Sequence, residues 1–191
     1  PHLATGYTIN DDGTVVSITL RDDVFFHDGT KFNAEAVKAN IERIKDPALA
    51  NAFATLMGAV NGVTVTGEYS VDLHLDAPFA PLLPHLTHAS QAIMAPSSMG
   101  DENVHQNPVG TGPFVLDSWV RGEQLRLVRN DNYWRAPTKL DSLTFRPLSE
   151  GATRIALVQT GAAHVATHVP PQDVERIDAL AVVTVHKVDS M

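Results

Sequence analysis

Histidine is the residue type whose spacing in this chain could support metal chemistry. Among nine histidines, His85 and His88 stand three residues apart and His164 and His168 four apart, as two ligands on one helix face would. Pro84 precedes the first pair, and the second falls in a strand-like stretch where a four-residue step separates the side chains too widely. We therefore favour surface or capping roles, predict no metal site, and keep a histidine-based metal-binding protein or hydrolase as the alternative.

Other catalytic residue sets find no support in the sequence. The carboxylate doublets Asp11-Asp12, Asp22-Asp23 and Asp101-Glu102 fall in turn-like stretches, where solvation explains them. The sequence has no Gly-x-Ser-x-Gly elbow, and the absence of cysteine excludes thiol catalysis, Cys-based zinc sites and disulfides. We predict a protein that is not an enzyme, with no catalytic residues and no cofactor.

The glycine-rich stretch Gly110-Thr111-Gly112-Pro113 could be a phosphate-binding loop or a tight turn. A phosphate loop needs backbone N–H groups and a following helix, but Pro113 lacks an N–H and no Gly-Lys-Ser/Thr follows. The next residues, 114–120, are strand-like, and after the turn Arg121-Gly122-Glu123 residues 124–129 alternate. The stretch is therefore interpreted as a turn that opens a β-hairpin.

Composition limits the class of protein. The chain has 191 residues, 43% of them hydrophobic, and a net charge of -8 without a basic run, which argues for a folded core and against nucleic-acid binding. No apolar run has the length of a membrane span, and no signal peptide is visible. Because the chain begins with proline rather than methionine, we expect that an N-terminal piece has been removed.

The secondary-structure elements of residues 1–105 are predicted from the spacing of apolar residues and from turn-forming residues. We expect hairpins around Asp11-Asp12-Gly13 and between 63–66 and 71–75, in which Val71, Leu73 and Leu75 face inward. Asn33 should cap a helix whose apolar stripe ends at Asp46-Pro47. A second short helix is expected over 48–57, capped by Gly58, followed by proline-broken turns and a linker at 95–108.

After the β-hairpin, a strand is expected at 143–145, then a helix that starts at Ser149 or Thr153 and ends at Gly161. A strand at 165–167, a helix at 171–180 and a strand at 182–185 should follow, which suggests crossover units on a partly parallel sheet. Trp119, Tyr133 and Trp134 are expected to pack in the core rather than form an exposed aromatic platform, because apolar strand residues surround them.

Three blocks of this sequence resemble the extracellular solute-binding proteins of family 5, the dipeptide-, oligopeptide- and nickel-binding receptors of ATP-driven importers. The blocks stand in the family's order and cover nearly the whole chain. They are Leu20 to Val37 with its Phe-His-Asp-Gly-Thr core, Pro108 to Asp141 with Pro-Val-Gly-Thr-Gly-Pro-Phe and Arg-Asn-x-x-Tyr-Trp, and Ala152-Thr153-Arg154 with Thr160-Gly161.

The resemblance implies an α/β, periplasmic-binding-protein-like (type II) fold with mixed sheets, hairpins and short helices. In such a fold residues 1–105 would be the inserted subdomain region of the first lobe and 106–191 part of the hinge-side lobe. Since family members are several hundred residues long, the chain is expected to be a fragment without the second lobe, and to bind ligand weakly or not at all. Where the family usually has Asp, this chain has His164.

The resemblance also implies a function. We expect a non-catalytic, monomeric receptor that captures a peptide or similar small solute by lobe closure and docks on a membrane permease. It would be exported, in the periplasm or lipid-anchored at the outer face of the cytoplasmic membrane. Thr111, His164 and His168 are the candidate ligand contacts, and the nickel-binding branch of the family is a further alternative. The alternative interpretation is that Thr111 only shapes its turn and that both histidines are solvated.

Overall fold

The computed structural model describes residues 2–100, 104 and 106–187. The chain divides into two compact units, which we call the first unit (Pro1–Trp119 with Leu125–Thr144) and the second unit (Val120–Gln124 with Phe145–Met191). The expected division of the chain near residue 105 into two parts of a larger fold stays a prediction.

The first unit is built on a four-stranded sheet in the order β1-β2-β4-β3. Each neighbouring pair is antiparallel. The alternating pattern of β4 places Val71, Leu73 and Leu75 in the core, as predicted, because successive side chains of a strand point to opposite faces. The strands are β1 (Ala4–Ile9), β2 (Val15–Leu20), β3 (Val60–Gly67) and β4 (Ser70–Leu75).

Helix α1 (Ala34–Lys45) covers this sheet and confirms the predicted cap. The Asn33 side chain accepts a hydrogen bond from the Ala36 N–H at 3.0 Å, which satisfies one donor of the first turn. The predicted apolar stripe is buried against the sheet, and the helix ends at Asp46 before Pro47. The stripe consists of Ala34, Val37, Ile41 and Ile44.

The single helix predicted over 48–57 is wrong. Two 3₁₀ turns occupy the segment, Pro47–Leu49 and Ala54–Met57. Ala50 is left-handed at φ 45°, and the Asn51 side chain accepts from the Phe53 N–H, so local side-chain bonding replaces the helical ladder between the turns. Gly58 stands at the C-cap of the second turn, as expected, where its N–H donates to the Thr55 carbonyl at 3.0 Å with a right-handed φ of -59°.

The expected linker at 95–108 is wrong at its start. Ala95 is fully buried in the core, and its N–H donates to the Val109 carbonyl at 2.9 Å. The preceding proline-rich stretch forms helix α2 (Leu82–Leu86) and a 3₁₀ turn at Ala89–Gln91, and a further 3₁₀ turn follows at Pro96–Ser98. Asp101-Glu102 and His105 lie outside the described residues.

A three-stranded sheet follows in the order β5-β6-β7, with strands β5 (Phe114–Val120), β6 (Gln124–Arg129) and β7 (Ser142–Phe145). The predicted turn between β5 and β6 is confirmed: Gly122 has φ 77°, which suits glycine, and the Glu123 N–H donates to the Val120 carbonyl. The glycine-rich stretch therefore opens a hairpin, as expected.

In the second unit, α3 (Gly151–Gln159) is followed by a 3₁₀ turn at Pro171–Asp173 and α4 (Val174–Asp178). Glu150 precedes α3 without a side-chain cap, so neither Ser149 nor Thr153 starts it. The predicted strands at 165–167 and 182–185 are wrong, and so are the crossover units, because no strand forms after Phe145 in the described part of the chain. Val165 and Val182 are 80% and 77% exposed.

None of the helices in the described part of the chain combines the length and apolar character needed to cross a membrane.

Candidate functional site

The candidate site is a cavity of about 460 Å³ in the first unit. Alternate residues of β5 and β6 supply much of its apolar wall, and the Gly110–Gly112 stretch supplies a backbone edge. No Asp, Glu, Lys or Arg is among the described residues that line it. These are His2, Leu3, His27, Ala92, Ile93, Pro108, Gly110, Thr111, Gly112, Phe114, Leu116, Trp119, Leu125 and Leu127.

His27 bonds to this backbone edge, although it lies 83 residues before Gly110 in the sequence. Its backbone N–H donates to the Gly110 carbonyl at 2.8 Å. Its ring accepts from the Gly110 N–H through Nδ1 at 3.3 Å and donates to the Gly112 carbonyl through Nε2 at 3.0 Å. His27 is not among the candidate residues predicted from the sequence. Its place in the Phe-His-Asp-Gly-Thr block was the available signal.

Asn130 and Trp134, which follow the glycine-rich stretch in the sequence, also bond to its backbone. Asn130 donates through Nδ2 to the Gly112 carbonyl at 3.0 Å and through its backbone N–H to the Pro113 carbonyl at 2.9 Å. Trp134 donates its indole N–H to the Thr111 carbonyl at 3.2 Å. Side chains from two of the three blocks that resemble family 5 thus donate to or accept from one backbone segment and fix its shape.

Two cationic side chains lie over the ring of Trp134. The guanidinium carbons of Arg21 and Arg135 each lie 4.7 Å from its ring centroid, and the His2 ring packs edge-on at 4.9 Å. Desolvation of the His2 ring, followed by the positive charge of Arg135, lowers the pKa of His2. Trp134 packs against the core as predicted, whereas the expectation for Trp119 is wrong, since Trp119 is 41% exposed.

The glycines of this segment are not required by backbone conformation. Neither Gly110 nor Gly112 has a positive φ, and an added Cβ at either would meet its nearest neighbour at 3.9 Å, an ordinary contact. The Gly110 N–H points at His27, and the chain continues into β5 rather than a helix. The Gly110 N–H is therefore occupied, and the segment lacks the helix start of a phosphate loop.

A carboxylate next to His27 ties the turn before α1 to the 3₁₀ turn at Pro96–Ser98. Asp28 accepts from the Ser97 hydroxyl at 2.6 Å through Oδ2 and from Thr30 through Oδ1. Burial raises the pKa of Asp28, but the hydrogen bonds from Ser97 and Thr30 outweigh it and leave the pKa below its ordinary value.

The histidine pair of the first unit bonds locally. His85 Nδ1 pairs with the Leu56 carbonyl at 2.9 Å, and His88 caps a 3₁₀ turn by accepting from the Ser90 N–H at 3.2 Å. The capping role predicted for these residues is observed at His88. Among the described residues, no three His, Cys, Asp or Glu side chains are grouped so that they could hold a metal ion.

The three candidate ligand residues fall in different units. Thr111 is buried at the cavity of the first unit, whereas His164 and His168 are exposed in the second. Arg154 donates to the carbonyls of Thr167 at 3.2 Å and His168 at 2.9 Å, and His168 takes a left-handed φ of 57°. Arg154 thus fixes residues 167–168 through their backbone carbonyls. The ligand roles of all three candidate residues stay predictions.

Comparison with known proteins agrees with the three blocks. A sequence model of the bacterial extracellular solute-binding proteins, family 5 Middle, matches residues 1–191. The glutathione-binding protein GsiB of Escherichia coli (strain K12) is 36% identical over 171 residues, which are 88% of this chain and 33% of that protein.

Solved structures show the same fold. DppA from Helicobacter pylori, an ABC transporter-associated periplasmic binding protein in complex with the peptide STSA, superimposes with a TM-score of 0.86 at 26% identity, over 95% of this chain and 40% of that one. NikZ from Campylobacter jejuni, in complex with Ni(L-His), gives 0.79 at 29% identity, over 85% and 33%. The chain spans about a third of the length of the curated relatives it matches, and the predicted family and α/β fold are confirmed.

Proposed function

The chain belongs to the bacterial extracellular solute-binding proteins of family 5, and from this we propose that it is part of the substrate-binding component of an ATP-driven (ABC) importer. The observation that carries the proposal is the family match over residues 1–191. Similar proteins are named for binding glutathione, a peptide or a nickel complex, and not for catalysis.

The mechanism we propose is capture of a peptide or similar small solute outside the cytoplasmic membrane by closure of two lobes, followed by docking on a membrane permease. Residues 1–105 would belong to the inserted subdomain region and 106–191 to the hinge-side lobe of a monomeric receptor, free in the periplasm or lipid-anchored. The attachment of the Gly110–Gly112 segment supports a rigid edge, which a receptor needs in order to present fixed groups to a ligand.

Calorimetry on the product of the complete reading frame that encodes this chain tests the proposal. Glutathione, a short peptide and nickel with histidine are titrated separately, and we expect saturable heat with one of them. Residues 1–191 alone should give little or no heat, because closure of two lobes supplies the affinity. A folded, complete protein that takes up none of these solutes, or that hydrolyses one, would overturn the proposal.

The candidate contacts are tested in the same titrations. Thr111→Val removes a hydroxyl while the backbone carbonyl that accepts from Trp134 stays, and His164→Ala and His168→Ala remove the two exposed imidazoles. Loss of heat only in the nickel titration of the histidine variants would favour the nickel-binding branch. Peptide heat without nickel heat in the parent protein would exclude the metal alternative. Unchanged affinity in all three variants would remove these residues from the site.

A further inference from the structure

We propose that His27 is a positioning residue whose neutral imidazole, with its proton on Nε2, fixes the Gly110–Gly112 segment at the edge of the cavity. That the segment matters for a ligand rests on the proposed function. The tautomer of the imidazole and its hydrogen bonds to the segment do not depend on that function. Three hydrogen bonds join His27 to two glycines that are 83 and 85 residues away in the sequence.

The chemistry of the partners determines the protonation of the ring. The Gly110 N–H can only donate, so Nδ1 must accept and carry no proton. The Gly112 carbonyl can only accept, so Nε2 must carry the proton. The opposite tautomer would direct an N–H at an N–H and a lone pair at a carbonyl. Only one form of the ring satisfies both contacts.

The segment held in this way presents Thr111 to the cavity. Thr111 is 9% exposed, and its carbonyl accepts from the Trp134 indole N–H. The Gly112 carbonyl receives a second bond from Asn130. His27 alone among these partners bonds both Gly110 and Gly112, on either side of Thr111. It therefore sets the orientation of the peptide groups between them.

This arrangement distinguishes substitutions by their hydrogen-bonding capacity. Glutamine carries one acceptor and one donor at the end of its side chain, so His27→Gln can keep both contacts. His27→Phe keeps a ring but neither contact. His74→Phe is the matched control, because His74 lies on β4 outside the cavity lining, where it contacts the Thr64 hydroxyl at 2.9 Å.

The first measurement is a nitrogen-15 spectrum of the histidine rings in the complete protein, with His27 assigned by the signals missing from His27→Gln. We expect the Nε2–H tautomer at neutral pH. Hydrogen exchange at the Gly110 amide should be at least about tenfold faster in His27→Phe than in the parent and near parental in His27→Gln. An Nδ1–H tautomer, or equal exchange in the parent and His27→Phe, would overturn the proposal.

The second measurement is affinity for whichever of glutathione, peptide or nickel-histidine the parent protein binds. His27→Phe should bind about tenfold more weakly or worse, while His27→Gln and His74→Phe stay within about threefold of the parent. Equal losses in the two His27 variants would show that hydrogen-bonding capacity at this position does not carry the effect and would overturn positioning. A parent protein without affinity for any of these solutes contradicts the proposed function, and the ring spectrum and Gly110 exchange still decide the role of His27.

Discussion

The two units of this chain differ in where their apolar side chains find partners. In the first unit, the sheet and α1 enclose one cluster in which Val71 and Leu73 are fully buried. In the second unit, Ile155 and Ile177 are the buried apolar residues among those described, while Val165 and Val182 are largely exposed. Both units contain stretches of strand-like sequence, but beyond Phe145 none of the described residues forms a strand.

The difference shows what an apolar pattern determines. An alternating pattern specifies which side chains of a strand would face a core, but a strand exists only when a neighbour pairs with its backbone. Residues 71–75 find such neighbours in β2 and β3. Residues 165–167 are also strand-like in sequence but have no paired strand in the described part of the chain, and they form an irregular segment.

The largest effect is expected from Asn40→Leu in the first unit. Asn40 is fully buried, accepts from the Met94 N–H at 3.0 Å and donates to the Met94 carbonyl at 2.8 Å. Leucine would leave both backbone groups of the half-buried Met94 without these partners, at about 2 kcal/mol each. We expect the free energy of unfolding in urea, followed by circular dichroism, to fall by about 4 kcal/mol.

Asn61→Leu is the control for this prediction. Asn61 is exposed on β3 and donates to Asp76 at 2.8 Å, so its replacement should change the free energy of unfolding by less than about 0.5 kcal/mol. Equal losses in the two variants would show that burial of the Asn40 amide does not carry the effect.

A matched pair of valines tests the comparison of the two units directly. Val71 is 0% exposed in β4 and Val165 is 80% exposed in the second unit. Val71→Ala should lower the free energy of unfolding by about 2–3 kcal/mol, because two buried carbons are lost and a cavity is left. Val165→Ala should change it by less than about 0.5 kcal/mol. A loss above about 1 kcal/mol at residue 165 would contradict the exposed position of that side chain.

Local sequence was sufficient to predict the elements that depend on local bonding. The Asn33 cap and the apolar stripe of α1 follow from residues three and four apart, and the hairpin turns follow from glycine and aspartate. The roles of Asn40 and His27 were missed because their partners lie 54 to 85 residues away. A local sequence pattern cannot predict contacts between residues so far apart in the chain. Thr111, a candidate from the sequence, lines the cavity, but the groups that fix its segment could be identified only in the folded chain.

In the second unit, Arg154 is expected to have the next largest effect. Its guanidinium donates to four backbone carbonyls, at 2.6 Å for Leu148, 2.8 Å for Ser149, 3.2 Å for Thr167 and 2.9 Å for His168. Arg154→Met keeps the aliphatic stem and removes the donors. Since the group is partly solvated, we expect a loss of about 1–2 kcal/mol, seen as roughly tenfold faster hydrogen exchange at the bonded amides of Ala163 and Asp173, which flank the segment that Arg154 holds.

Arg154→Lys distinguishes hydrogen-bond geometry from charge in this cluster. Lysine keeps the positive charge but cannot reach four carbonyls with a planar fork, so exchange at the Ala163 and Asp173 amides should be nearly as fast as in Arg154→Met. Amides of β2 and β4 in the first unit should keep their exchange rates in both variants. Restored protection in Arg154→Lys would show that charge alone holds the segment.

The smallest effect concerns the pH dependence of the first unit through Asp28. The pKa of Asp28 lies below its ordinary value of 3.8, since the bonds from Ser97 and Thr30 outweigh burial, and the folded state therefore favours the carboxylate. This contribution is fully present above pH 3.8 and is lost as the pH falls through the lowered pKa. Asp28→Asn should flatten the fall in stability below pH 4 by less than about 1 kcal/mol, because the carboxylate is only slightly desolvated and water screens its interactions. Ser97→Ala removes the bond to Oδ2 and should act in the same direction. Acid unfolding profiles that coincide for the parent and both variants would show that this carboxylate does not favour the folded first unit.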